Sequence, residues 1–225
     1  MEVPLSLSRR DLLKQLGLAG AAIVALPELS RVLLVRRSLG EGGLFQGELL
    51  AQQPATLTAT EFATLEAICA RLIPSDENGP GAKEARAAYY IDRALGGALA
   101  SYRDDYSMSL AAVNVHARLK QPSAKTFADL NIEQQDTVLG ELEQNVELGF
   151  IPSSSAFFNL VRGHTLQGTF CDPVYGGNAN MVGWDLIGYP GVRLSVAAAE
   201  QNMSTPAARN HKSAYDYLMF SKTGV

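Results

Sequence analysis

From Thr58 to His164 apolar residues recur every three or four positions, and that spacing predicts one helix after another. Thr58 and Glu61 form a capping-box signature, followed by Phe62, Leu65, Cys69 and Leu72 on one stripe until Pro74 stops the helix. Cys69 is therefore expected to face the core. Residues 75–81, with two glycines and a proline, predict an exposed loop. A second helix is predicted over Ala82 to Leu95, carrying Tyr89 and Ile91 and closing at Gly96 and Gly97. Leu99, Tyr102, Tyr106, Leu110 and Val113 define a third stripe, which ends before Pro122. Asn131 with Gln134 caps a fourth, marked by Leu139, Leu142 and Val146 and closing at Gly149. Ser153 and Ser155 open a fifth, with Phe157, Leu160, Val161 and His164 on adjacent turns. No sustained alternating pattern rich in Val, Ile and Thr interrupts them. The expected fold is all-α, an irregular bundle of about five helices.

Beyond this the pattern changes. Gly163 to Gly191 holds seven glycines in 29 residues, interleaved with Tyr175, Tyr189 and Trp184, the chain's one tryptophan. So many permissive positions beside large aromatics predict an irregular segment with a specified backbone. Two readings stand: a functional loop, or a wrap that closes one end of the bundle with its aromatics. Residues 192–225 are polar and alanine-rich, with one apolar cluster at Tyr215, Tyr217, Leu218, Met219 and Phe220, and read as an extension that docks on a partner.

The N-terminus is a different object. Residues 1–40 carry six basic and three acidic side chains, whereas the remainder carries 13 basic and 20 acidic, so a chain of net charge -4 is basic at one end and acidic in its body. Ser8, Arg9, Arg10, Leu12, Leu13 and Lys14 precede a Gly- and Ala-rich apolar run to Leu26, the pattern of a twin-arginine export signal. The run is short for a stable membrane span. No cleavage site stands out, and Arg31 to Arg37 forms a basic, apolar patch able to lie on a membrane surface, so an anchored, unprocessed N-terminus stays open as a reading. The expected organisation is a signal over 1–40, a Gly-rich linker over 41–56, a helical body over 57–190 and an extension over 191–225.

Composition narrows the function. With 47% hydrophobic residues the chain supports a packed core, and with 19% charged residues and an acidic body it lacks the basic face nucleic acids require. A twin-arginine signal addresses folded cargo, usually cargo that acquires a cofactor before crossing. This chain carries no dinucleotide-binding glycine fingerprint and no haem-attachment motif, two cysteines are too few for an iron–sulfur cluster, and His116, His164 and His211 lack metal-ligand spacing. The expectation is that no cofactor binds here and that another subunit carries one through the translocase. His164 and Asp172 are expected to pair and pin the Gly-rich loop. A catalytic reading of them is weaker, because Thr165 stands where a nucleophile elbow would be needed. Tyr175, Gly176, Gly177, Asn178 and Trp184 are, with His164 and Asp172, the candidate partner-contacting residues, aromatics on a glycine-shaped loop being efficient anchors. Burial in the core is the competing reading. Cys69 and Cys171 either pair in an oxidising compartment or remain two buried thiols.

The strings His164-Thr-Leu-Gln-Gly-Thr-Phe-Cys-Asp-Pro-Val-Tyr-Gly-Gly-Asn178, Met181-Val-Gly-Trp184 and Gly188-Tyr-Pro190 resemble the gluconate 2-dehydrogenase subunit 3 family. So do Leu57-Thr-Ala-Thr-Glu-Phe-Ala-Thr-Leu-Glu-Ala and the Arg71 to Ala82 stretch, with Gln167 and Cys171 departing from the pattern. The resemblance implies a small, non-catalytic subunit of a membrane-associated dehydrogenase complex acting on sugars or sugar acids. Its implied partners are a large FAD-bearing flavoprotein, a haem-bearing cytochrome c subunit and the twin-arginine translocase, and its implied location is the periplasm, at the cytoplasmic membrane. A free-standing exported enzyme or binding protein, using His164 to Trp184 as its pocket, is the alternative.

Overall fold

The computed structural model describes residues 54–145, 149–150, 152–201 and 207–220. Arg9, Arg10 and the whole export signal, most of the linker, and Val146 lie outside the described residues. Those residues form six helices and no strand: α1 Ala59–Leu72, α2 Ala87–Leu95, α3 Arg103–Lys120, α4 Ile132–Glu143, α5 Ser154–Phe170 and α6 Val182–Ile187. None of them is long and apolar enough to cross a membrane.

Helix α1 is the axis of the bundle and packs against α2, α3, α4 and α5. Its start is set by a closed capping box: the Thr58 amide donates to Glu61 Oε2 (2.7 Å) and the Glu61 amide to Thr58 Oγ1 (3.3 Å). Leu65, Ile68 and Cys69, on one face, are fully buried, and each apolar side chain so buried contributes roughly 1.5–3 kcal/mol. The same capping chemistry starts α4 at Asn131, while Ser153 Oγ accepts the Ala156 amide at the head of α5. Polar crossties then fix the connection from α3 to α4. Asn114 Oδ1 accepts from Thr64 Oγ1 (3.0 Å) and from the Phe127 amide (2.8 Å), and Gln135 Nε2 donates to the Phe127 carbonyl (3.1 Å). Both backbone groups of Phe127 are thereby paired, so its ring can be wholly buried without orphaning its backbone.

The helix boundaries differ from expectation in three places. Helix α2 begins at Ala87 rather than Ala82, because residues 82–86 form turns and Arg86 sits at φ 60°, outside the helical region. Helix α3 begins at Arg103, with Leu99 and Tyr102 in the turns ahead of it. The third difference concerns the Gly-rich region. Gly163 and Gly168 lie inside α5, and Gly168 is a packing glycine: an added Cβ would stand 2.9 Å from the Cα and carbonyl oxygen of Ala87, where α5 crosses the head of α2.

The body's N-terminal edge is held by a residue that periodicity does not single out. Asp92, on α2, is 1% exposed, and its carboxylate accepts three successive backbone amides, from Ala55 (2.6 Å), Thr56 (3.0 Å) and Leu57 (2.7 Å). Arg103 adds a bond to the Thr56 carbonyl (3.2 Å). The incoming chain is thereby locked to the bundle over the three residues before the first helix cap.

Candidate functional site

An α-helix leaves its last carbonyls without intrahelical partners, and at the end of α5 Gly168 and Thr169 are buried while Phe170 and Cys171 are half-buried. The Gly-rich segment supplies the missing donors. The Asn178 amide donates to the Gly168 carbonyl (2.8 Å), Trp184 Nε1 to the Phe170 carbonyl (2.9 Å), and Asn178 Nδ2 to the Cys171 carbonyl (2.8 Å). Asn178 Oδ1 in turn accepts the Gly183 amide (2.8 Å), and the Ala179 amide reaches the Ala85 carbonyl (3.1 Å). Asn178 is fully buried at φ 44°, a left-handed conformation that asparagine tolerates better than most residues. The segment is a large, folded C-cap for α5.

This role explains the glycines. A Cβ on Gly177 would overlap the Gly168 carbonyl oxygen, and one on Gly183 would overlap the Thr169 carbonyl oxygen, so both must be bare for the strand of cap to lie on the helix end. Gly176 stands at φ 95° against the Arg93 guanidinium. Gly183 already lies in α6, so the segment expected to be irregular contains a helix. Trp184 is 4% exposed and Tyr189 packs edge-on against it, with ring centroids 4.9 Å apart.

The expected His164–Asp172 pair does not form. His164 faces the core and shares a 2.8 Å hydrogen bond between its Nδ1 and the Tyr106 hydroxyl, with the two rings stacked and Tyr102 edge-on to the imidazole. Six of the seven residues separating it from Asp172 are helical, which places about 9 Å of helix rise between them. Burial pushes the His164 pKa down to about 4 and the Tyr106 hydroxyl well above its usual range, so both are neutral near neutrality. Asp172 instead holds the tail. Its Oδ1 accepts from the Val174 amide (3.1 Å) and from Ser213 Oγ (2.7 Å), and its Oδ2 from the Ala214 amide (3.0 Å).

Around that anchor residues 207–220 lie against the cap. The Val192 amide donates to the Lys212 carbonyl (2.8 Å), and Tyr217 donates its hydroxyl proton to the Val192 carbonyl (2.6 Å). Arg209 and His211 both reach Asp185 Oδ1 at 2.8 Å. Tyr175 is half-buried with its pKa pushed up to about 12, by burial first and then by its hydrogen bond with Tyr215. Outside this packed zone, Ile187, Tyr189, Leu194, Val196, Leu218, Met219 and Phe220 are exposed.

The cysteines are not joined. Cys69, buried in α1, lies 3.3 Å from Thr165 Oγ1, and Cys171 points its thiol at the Gly168 carbonyl; both are free. Burial raises each pKa to about 12, which suppresses the thiolate that exchange would need. Of the sequence-derived candidates, then, Asn178, Gly177 and Trp184 converge on the end of α5, Asp172 and Tyr175 meet the tail, and His164 belongs to the bundle interior. Asp92 and Ser213 were not signalled by periodicity. Only Ser213, three residues before Asp216 in a capping-box pattern, left a local trace.

The class defined by this construction is a small all-α domain whose last long helix is closed by a rigid, glycine-built cap. The chain belongs to the gluconate 2-dehydrogenase subunit 3 family: the family's model matches residues 59–191, more than half of the 225 residues. The match runs from the first residue of α1 to the end of the cap. The family is named for one subunit of a multisubunit dehydrogenase, so the chain's relatives work as parts of a larger assembly. No curated protein and no solved structure matches the chain.

Proposed function

We propose that this chain is a non-catalytic accessory subunit of a flavin-dependent sugar or sugar-acid dehydrogenase, which it escorts in folded form through twin-arginine export and then stabilises at the periplasmic face of the cytoplasmic membrane. The observation that carries the reading is the use made of the family's signature segment. Its asparagine, tryptophan and aspartate side chains are spent on backbone carbonyls and amides of the α5 end and the tail, which builds a fixed surface. The exposed apolar residues Ile187, Tyr189, Leu218, Met219 and Phe220 stand on or beside that surface and suit a large flavoprotein partner. The Ser8 to Leu26 string supplies the export address. Electron transfer to a cytochrome c subunit belongs, in this reading, to the FAD and haem of the partners.

Co-expression with a candidate flavoprotein partner tests the proposal. Replacing Arg9 and Arg10 by Lys should leave the flavoprotein in the cytoplasm, and continued export at the normal level would refute the escort role. Purified alone, the chain should be colourless and should not reduce a dye with sugar substrates. Turnover by the isolated chain would favour a free-standing enzyme.

A further inference from the structure

Helix α3 is apolar on two opposite faces. One face carries the buried Tyr106, Leu110, Val113 and Ala117 into the core. On the face directly away from it, Met108, Val115 and Leu119 are 49%, 47% and 65% exposed, with Ala111 also exposed between the first two. A helix that only closes a bundle puts charge there instead. The spacing is regular: Met108 and Val115 are one heptad apart, and so are Asp104, Ala111 and Arg118, which gives two neighbouring rows along one side of the helix.

These rows are complementary to themselves when reversed. If Ala111 is placed on a twofold axis, Asp104, seven residues before it, comes opposite Arg118 of a second copy, seven residues after. Met108 then lies beside Val115 of that copy, and the small Ala111 side chains meet at the crossing, where they let the helices approach to about 8–10 Å. Asp104 and Arg118 are exposed and form no ion pair with any other described residue. Helix α3 packs against α1, α4 and α5, so its outer face stands apart from the cap and tail.

We propose that the outer face of α3 is a homodimer interface on which a second copy of this chain docks antiparallel, its twofold axis passing through Ala111. The contact is an isologous one, with each Asp104–Arg118 pair made twice. A single helix pair buries less than a standard interface, so association is weak and visible only at high concentration.

Sedimentation equilibrium of the full-length chain, from about 5 to 500 μM, reads this directly. The wild type should approach twice the monomer mass, and Val115→Glu should weaken association at least tenfold while its thermal melt is unchanged, Val115 being half exposed. Asp104→Arg and Arg118→Asp should each weaken it several-fold, and the double exchange Asp104→Arg/Arg118→Asp should restore it. Ala111→Cys should form an intermolecular disulfide under mild oxidation that the wild type, with its two shielded thiols, does not form. A chain that stays monomeric throughout, or that dimerises with no response to Val115→Glu and the single charge reversals, overturns the proposal. So does a stripe protected from hydrogen exchange only when the dehydrogenase subunit is bound, which would assign α3 to that partner.

Discussion

The helical bundle and the cap that closes it are held by different forces. In the bundle the ordering comes from apolar area: Leu65, Ile68, Ile91, Leu110, Val113 and Val138 are fully buried, and interior polar groups such as Asn114 and Gln135 tie neighbouring elements together. In the described residues of the cap and tail, 171–201 and 207–220, the ordering comes from side chains bonded to backbone and from glycines that let two backbones touch. A bundle of the first kind tolerates hydrophobic exchange and loses stability in proportion to volume removed. A cap of the second kind is position-specific, and a single methyl group in the wrong place displaces it.

Two probes separate the regions, because the chain's one tryptophan, Trp184, sits in the cap whereas nearly all helix signal comes from the bundle. Phe157→Ala should have the largest effect. Phe157 is 2% exposed and packs against Tyr106, with ring centroids 5.6 Å apart, so its truncation should cost about 3–5 kcal/mol. Far-UV circular dichroism and Trp184 fluorescence should then report the same lowered midpoint, since the cap has nothing to close without α5. Fluorescence holding steady while the helices melt would show a cap that stands alone.

Acid should weaken the bundle before it reaches the cap. The folded chain holds His164 at a pKa of about 4 against an ordinary 6.5, so between those values the unfolded chain takes up a proton that the folded one refuses. The stability contributed by keeping His164 neutral therefore falls as pH drops from 6.5 to 4 and changes no further below, with a total loss from this group of roughly 3 kcal/mol. A carboxylate such as Glu84, held low first by its hydrogen bond from Ser75, loses its contribution only as pH falls below its ordinary 4.5, so the upper part of the window isolates the imidazole. Urea midpoints should decline over that range in the wild type and stay flatter in His164→Gln. Equal slopes in both would remove His164 as the cause.

Gly183→Ala should reverse the pattern of Phe157→Ala. The new methyl would overlap the Thr169 carbonyl oxygen, which belongs to the helix backbone and cannot swing aside. A local penalty of about 2 kcal/mol should expose Trp184 and shift its emission to the red, with the helix melt displaced by much less. Equal displacement of both signals would mean that bundle and cap unfold as one unit.

How much of this was legible in the sequence follows the same division. The caps at Thr58, Asn131 and Ser153 and the stripes behind them could be read because helix signals are local, and all three helices start where those residues place them. The cap was legible as a unit but not in its parts. Glycine reads as a breaker, yet Gly163 and Gly168 continue α5, since a glycine chosen for close packing cannot be told by composition from one chosen for a turn. Asp92 left no trace at all: an aspartate inside a helix looks solvated until three amides from 35 to 37 residues upstream are brought to it. The His164–Asp172 expectation failed because closeness along the chain is not closeness in space across a helix end.

The smallest expected effect lies at the seam between cap and tail. Asp172→Ala removes the acceptor for the Ser213 hydroxyl and for the Val174 and Ala214 amides, but the site is partly open and water can replace a share of those bonds, so about 1 kcal/mol of local stability should go. Trp184 is held by the Phe170 carbonyl and by Tyr189, neither of which touches this carboxylate in the hydrogen-bond pattern, so its fluorescence should not move. Hydrogen exchange at Ala214 and proteolysis within 207–220 should both quicken. If the proposed partner surface includes Leu218 to Phe220, the same substitution should loosen subunit assembly while leaving the fold intact. A loss of tryptophan burial in Asp172→Ala would instead show that tail and cap are one structure, and that the family's signature segment depends on residues beyond the end of the family match.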